Sequence, residues 1–351
     1  GHLTGAALHR FGLGGENPQV WALGVKEVWR VAKPLDRVIH TMGWPLRGSP
    51  QLREFGGSFI YPLGEDLVSL GLVVGLDYRD SAISVHDLLQ ELKTHHLIRR
   101  LLRGGERLEW GAKTIPEGGF LSLPRRLHAP GLVITGDSAG LVNVPALKGI
   151  HYAMESGRLA AEAVFETLRP GATAWRPGAL AGYDRALQDS FVWTDLQRVR
   201  NMRQAFGRGF WMGGALAGMM TASRGMVPPG NARTEPDAEQ QLIRTGRAQR
   251  YPRPDGKLSF DKLSSVFASG NKTRDDQPSH IRFRRRVPIR LAEMWVRMCP
   301  AQVYELGEGH GDGTVDVLVT ASNCVQCGAI TAKGGRLTTP EGGDGPLYQI
   351  T

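Results

Sequence analysis

Cysteine is scarce in this chain: three in 351 residues, all beyond residue 298. Three thiols cannot build a disulfide framework, and their late clustering argues for a reducing compartment or a metal site. A second absence is a strand–GxGxxG–helix unit, the usual cradle for a dinucleotide pyrophosphate. A third is an apolar run long enough to cross a bilayer, which takes ~20 residues. No zinc-finger repeat or aromatic-interleaved RNA motif accompanies the basic run Arg284-Arg285-Arg286. That run reads as solvated surface, and nucleic acid is not an expected partner. No signal peptide is visible, and the chain opens at Gly1 without a Met. Targeting is therefore not legible.

What is present is ample for a core: 41% hydrophobic residues in a length that suits two domains or more. The net charge of +9 suits acidic partners, an anionic membrane surface or an acidic protein. Residues 1 to 30 read as helix, from a stripe of Leu3, Ala6, Ala7 and Leu8 and the mixed run Val20 to Trp29. From about 36 to 115 the pattern turns to strands. Ser58 to Leu63 and Leu67 to Leu76 flank the turn Gly64-Glu65-Asp66 and predict a hairpin, its second strand buried on both faces. Residues 84 to 103 read as one amphipathic helix, with His95 and His96 on its surface. Gly157 to Leu168 continues a helix that Pro170 to Pro177 breaks, and Tyr183 to Arg203 reads as a second long helix. Residues 223 to 256 read as a linker or extended wrap.

Three places carry chemistry. The first is Gly131 to Gly157, an apolar strand feeding a small-residue turn and then a helix. Gly136 and Gly140 let the backbone approach a ligand, the amides opening the helix can face an anionic group, and Asp137 can accept from a sugar-like hydroxyl. An ordinary strand–turn–helix explains Gly-Asp alone, but not as well the whole register of Gly136-Asp137, Gly140, Asn143-Pro145 and Lys148-Gly149-Ile150. The second is Gly56-Gly57, which exposes backbone to a planar carbonyl ligand or marks a bulge or tight bend. The third is Cys299-Pro300 with Cys324-Val325-Gln326-Cys327: a CxxC can hold one metal centre from a single turn, with the other thiolate brought in by the fold. Phe206 to Ala222 is the most apolar stretch, bracketed by Arg203, Arg208 and Arg224. It is read either as a buried core helix or as a segment inserted into one leaflet.

On these residues the chain resembles a family. Gly131 to Gly157 is similar to the second FAD-binding motif of flavoproteins built like p-hydroxybenzoate hydroxylase. The whole chain resembles the electron transfer flavoprotein–ubiquinone oxidoreductase family through GHLTG, NPQVWALGVKEVW, HTMGWPL, GGSFIYPL, LGLVVGLDY, GGFLSLP, YPRPDGKLSFD and PEGGDGP. The resemblance implies an α/β FAD-dependent flavoprotein lacking its first Rossmann unit, with a C-terminal ferredoxin-like iron–sulfur domain. The expected division is 1–35 with 113–222 as the remaining FAD-binding domain, 36–112 for quinone, 223–256 as linker and 257–351 for the cluster. FAD would be held by Gly136, Asp137, Gly140, Asn143, Pro145 and Gly149, the quinone by Gly56 and Gly57, and a [4Fe–4S] cluster by Cys299, Cys324 and Cys327. The implied activity passes electrons from reduced electron transfer flavoprotein through FAD and the cluster to ubiquinone or menaquinone. The implied place is peripheral or monotopic on a membrane surface, at its reducing (cytoplasmic or matrix) side. No side chain is needed as an acid–base catalyst. The family's fourth cysteine would fall at Ile330, which leaves a [3Fe–4S] centre, a non-thiolate ligand, no cluster, or zinc with His310 as a fourth ligand. Alternatives for the whole are a FixC-like or prenyl-reductase-like flavoprotein with another partner, or a non-catalytic membrane-associated scaffold.

Overall fold

The computed structural model describes residues 3–169, 178–243 and 251–350. The chain forms two compact units, Gly1–Trp21 with Ile115–Pro236, and Ala22–Thr114 with Asp237–Thr351.

The first unit opens with α1 (Leu3–Phe11). The chain then crosses to β1 (Trp21–Arg30), where the sequence reading predicted continued helix. The reason is the charged pair Lys26-Glu27, which interrupts the apolar run although Glu27 is itself buried, so Ala22, Leu23, Val25, Glu27, Val28 and Trp29 all lie inside a sheet. That sheet belongs to the second unit and adds β2 (Ile39–Met42), β3 (Gly56–Pro62), β4 (Leu67–Gly75) and later β5 (Glu106–Pro116), in the order β2-β3-β4-β1-β5. The predicted hairpin is β3–β4, closed by Leu63 N–H on Leu67 O at 2.8 Å with Gly64 at φ +85°. Central β4 is buried along almost all its length, which is why its sequence shows no polar alternation.

Against this sheet lies α2 (Val85–Thr94), N-capped by Ser84, with Val85, Leu88, Leu89 and Leu92 in the core. The single helix expected over 84 to 103 is in fact two, because His95 is extended and α3 (His96–Leu102) starts afresh. His96 is exposed and His95 half-buried, their rings 4.5 Å apart.

Back in the first unit, β6 (His128–Ala129) and β7 (Leu132–Val133) form a short antiparallel pair. They lead into α4 (Ile150–Leu168). Its buried side joins Leu13, Leu123, Leu141 and the following helices in one core. The expected break at Pro170 to Pro177 lies outside the described residues. The long helix predicted over 183 to 203 is three short ones: α5 (Ala181–Gln188), α6 (Phe191–Arg198) and α7 (Met202–Ala205). Ser190 makes the first break by adopting an extended backbone and turning its hydroxyl onto Leu187 O at 2.6 Å. Then comes α8 (Phe210–Ala222), after which the chain runs extended, anchored by Asn201 to Gly230 and Ala232.

The rest of the second unit contains α9 (Lys262–Ala268), β8 (Ile281–Arg282), β9 (Arg286–Pro288), α10 (Ile289–Met298), β10 (Tyr304–Gly309), β11 (Thr314–Val319), α11 (Ala329–Ala332) and β12 (Arg336–Leu337). β10, β11 and β9 form a three-stranded antiparallel sheet, with β12 and β8 paired beside α11.

Candidate functional site

The cysteines arrive from two directions. α10 carries its apolar face, Ala292, Met294, Trp295 and Met298, into the core and ends so that Cys299 is its C-cap. Cys324 follows a single turn after β11, and Cys327 precedes Gly328, whose φ of +88° turns the chain into α11. All three sulfur-bearing residues line one small apolar cavity with Tyr304, Val325 and Ile330. Val303 N–H points at Cys299 Sγ at 3.4 Å, and Gln326 N–H at Cys324 Sγ at 3.4 Å. Burial pushes all three thiols up, Cys327 to about 12, while backbone N–H groups pull each of them back.

A cavity of this kind disfavours bare thiolates and suits thiolates whose charge is cancelled by metal, with amides aimed at sulfur. No three His, Cys, Asp or Glu side chains among the described residues converge to hold a single ion; the cysteines stand around a shared space. His310 pairs with Asp316 at 2.9 Å and is not in the cavity wall, so the zinc alternative lacks its fourth ligand. Three thiols around one apolar space are a donor set that suits an iron–sulfur centre, and Ile330, 3% exposed, is part of the same wall. Sequence reasoning did not single out the other charged neighbours, Lys262 and Lys113, because both come from distant parts of the chain.

In the first unit, Gly136 to Ala139 forms a single helical turn, with Gly136 at φ +58° and Gly140 at φ +85°. Gly136 N–H donates to Ser156 Oγ at 3.0 Å, and a Cβ at Gly136 would press on Ala153 at 3.1 Å. The glycine thus lets the turn lie directly on α4. Asp137 is exposed, and none of the hydrogen bonds among the described residues uses its carboxylate. Asn143 closes a tight loop, its backbone bridging Lys148 and its Oδ1 accepting from Ala146 N–H at 3.2 Å; Pro145 sits exposed at the tip. Gly149 precedes α4, which opens without a side-chain cap, and the large apolar residues Leu147, Ile150 and Met154 are exposed around this opening. The candidate FAD residues thus share one end of α4.

Gly56 and Gly57 stand at the start of β3 in unbroken register, opposite Val74 and Val73. There is no bulge. A Cβ at Gly56 would meet Val73 O at 2.2 Å, and one at Gly57 would meet Thr41 O at 2.3 Å. Close passage of neighbouring strands therefore requires glycine at both positions, whatever else lies against them.

α8 is apolar nearly all round but only 13 residues long. Met220 packs on Met202 and Ala205, and Gly213 lies against Phe206. Trp211, 85% exposed, and Met212 and Met219, about half exposed, point away from that contact. No helix among the described residues is long and apolar enough to cross a membrane. The core-helix alternative accounts for Gly213 and Met220, and leaves Trp211 unexplained.

Comparison with known proteins places these features in a family. Residues 21–115 match the family model described as "ETF-QO, ubiquinone-binding". Residues 256–349 match "Electron transfer flavoprotein-ubiquinone oxidoreductase, 4Fe-4S". The mitochondrial electron transfer flavoprotein-ubiquinone oxidoreductase of Arabidopsis thaliana is 40% identical over 95% of this chain and 53% of its own length. That of Homo sapiens is 38% identical over 99% and 59%, and that of Caenorhabditis elegans 36% over 99% and 61%. The chain thus spans between half and about three-fifths of the length of these relatives. Among solved structures, the flavin-dependent brominase Bmp2 matches with a TM-score of 0.41 at 16% identity, over 63% of this chain and 55% of that one. With both family models and relatives of one name aligning along nearly all its residues, the chain belongs to the electron transfer flavoprotein-ubiquinone oxidoreductase family.

Proposed function

We propose that the protein containing this chain takes electrons from reduced electron transfer flavoprotein and delivers them to ubiquinone or menaquinone at a membrane surface. The observation that carries this reading is the cysteine cavity: three thiols from separate segments line one apolar space, in the same compact unit as the sheet that matches a ubiquinone-binding model. Cys299, Cys324 and Cys327 would hold an iron–sulfur centre, which supplies one-electron exchange. Gly136, Asp137, Gly140, Asn143, Pro145 and Gly149 would hold FAD, which converts between one- and two-electron chemistry. Gly56 and Gly57, half-buried where β3 passes close to β4 and β2, would lie in the quinone-binding region. The chain's own work is to bind, to keep water from the buried thiols and to fix charge. The test is ubiquinone-analogue reduction by the full-length protein, driven by reduced electron transfer flavoprotein. A full-length protein that carries FAD and iron yet reduces no quinone from this donor overturns the reading.

For the flavin, Asp137→Ala in the full-length protein is expected to weaken FAD retention by about 1.5–3 kcal/mol, the worth of a hydrogen bond to a charged group. Its carboxylate has no competing protein partner among the described residues, so the loss should appear as FAD released on dialysis with no change in melting temperature of the apoprotein. Unchanged FAD content counts against the assignment.

For the membrane, the exposed face of α8 would sit among lipid at the interface, where Trp211 and its neighbours lose apolar surface to water-free surroundings. Replacing Phe210 and Trp211 with Ser is expected to remove about 1.5–3 kcal/mol per side chain of that burial and to release the protein from vesicles. Flotation unchanged in a folded variant would assign the face to a protein contact instead.

A further inference from the structure

Two lysines stand beside the cysteines, and only one of them is sheltered. Lys262 opens α9, placed there by Asp261, whose carboxylate accepts from Ser264 N–H at 2.8 Å. Its ammonium reaches the last turn of α10 and donates to Val296 O at 3.0 Å and Arg297 O at 3.3 Å. One residue after that turn comes Cys299, on whose thiol Lys262 is the charged side chain that acts; burial opposes ionisation there and Lys262 favours it. Burial lowers the Lys262 pKa; Cys299 and Asp87 of α2 favour its charged form, and Arg297 of α10 opposes it. On the other side, Lys113 of β5 donates to Gln326 O at 3.2 Å and acts on Cys324 and Cys327, but from an exposed position.

Helix capping alone explains the bonds to Val296 and Arg297, since cations stabilise helix C-termini. It does not explain why the cation is half-buried beside a thiol that carries negative charge when it binds metal. Resting on the iron–sulfur reading above, we infer that Lys262 is a positioning residue of the cysteine site, whose fixed charge beside Cys299 sets the reduction potential of the centre held there. Reduction adds one electron to that centre and makes or breaks no bond at Lys262. The reduced form is one charge more negative, so a nearby fixed cation stabilises it and raises the potential. Lys113, in water, is screened and contributes less.

The experiment is a redox titration of the iron-loaded full-length protein, followed by electron paramagnetic resonance, with dithionite as reductant. Lys262→Gln keeps a donor for the helix carbonyls and removes the charge. It is expected to lower the reduced-to-oxidised ratio at least tenfold at the native midpoint, which is 59 mV for a one-electron couple. Lys262→Arg should titrate as the native protein does, and Lys113→Gln should shift less than Lys262→Gln. A native midpoint for Lys262→Gln overturns the inference, as does an equal or larger shift for Lys113→Gln. Loss of iron in Lys262→Gln but not in Lys262→Arg also supports a requirement for charge. Loss in both makes Lys262 a helix cap only and overturns it. A native protein that binds no iron removes the iron–sulfur reading itself, and this is visible before any variant is made.

Discussion

Lys93→Met is expected to cost about 3–5 kcal/mol of folding stability, the penalty for leaving a buried charge without its partner. Lys93 and Glu27 are both fully buried, with Lys93 Nζ 2.8 and 2.9 Å from the two carboxylate oxygens. Trp29 Nε1–H donates to the same carboxylate at 2.7 Å, and Arg107 lies 3.8 Å away. The network also joins distant segments of the second unit, for the Lys93 ammonium lies 5.0 Å from the Phe260 ring centroid and the Arg107 guanidinium 3.6 Å. Phe260 is fixed further by its N–H on Gln90 Oε1 at 2.9 Å and its carbonyl 2.9 Å from His86 Nε2. Removing Lys93 leaves the buried Glu27 carboxylate with Arg107, 3.8 Å away, as its remaining cation, whereas replacing both Glu27 and Lys93 with neutral groups leaves no carboxylate to compensate. The double variant Glu27→Gln/Lys93→Met should therefore recover part of the loss in urea unfolding, the remainder reflecting Arg107, which loses the same carboxylate and keeps Asp261. Burial works to raise the Glu27 pKa, but Lys93 and Arg107 outweigh it and hold the carboxyl below the usual range. Its contribution is complete above the unfolded carboxylate pKa and is lost as pH falls through the depressed folded value. The native protein should consequently lose more stability on acidification than the double variant. Equal stabilities for the single and double variants would sink this account.

The same glutamate marks where the sequence stopped being legible. Two charged residues between Val25 and Val28 look like the polar face of a helix, and only the partner Lys93, on α2, shows Glu27 to be inside a sheet. β4 was readable because nothing interrupts its apolar run, and the β3–β4 hairpin because Gly64 announces the turn. Helix ends were misread where a local extended residue intervenes: His95 and Ser190 adopt backbones that periodicity cannot reveal. Gly56 and Gly57 were recognised as unusual, but the close passage of β2 and β4 that demands them is tertiary information. Cys324 and Cys327 could be paired by spacing. Cys299 was grouped with them as a thiolate to be brought in by the fold, and α10 does bring it into the same cavity wall; Lys262 of α9 and Lys113 of β5 come beside the cysteines through the fold alone.

Ile330→Cys is expected to produce the largest spectroscopic change, converting a three-iron or labile four-iron centre into a stable [4Fe–4S] form. A four-iron cluster takes one thiolate per iron, and Cys299, Cys324 and Cys327 would supply three. Ile330 is buried in the wall of the same cavity, one turn of chain after Cys327. Its carbonyl accepts from Lys333 N–H at 3.1 Å and Gly335 N–H at 2.9 Å, which holds the backbone of this position beside the cavity. Gly335 lies close against Ile330, since a Cβ built there would meet Ile330 Cγ1 at 2.5 Å, and the smaller cysteine fits the same space. The lost methyl groups should destabilise the metal-free protein by about 1–3 kcal/mol, within the range for large-to-small core changes. Metal binding should more than restore that loss, because a ligand set present only in the folded state adds its binding energy to folding. Anaerobic purification with iron analysis is expected to give about four irons per chain in the variant, one per thiolate. The paramagnetic signal should move from the oxidised protein, as for a [3Fe–4S] centre, to the reduced one. Stoichiometric zinc without iron in the native protein would discard the cluster. An unchanged iron content and signal in Ile330→Cys would show that the fourth iron is already held by another ligand.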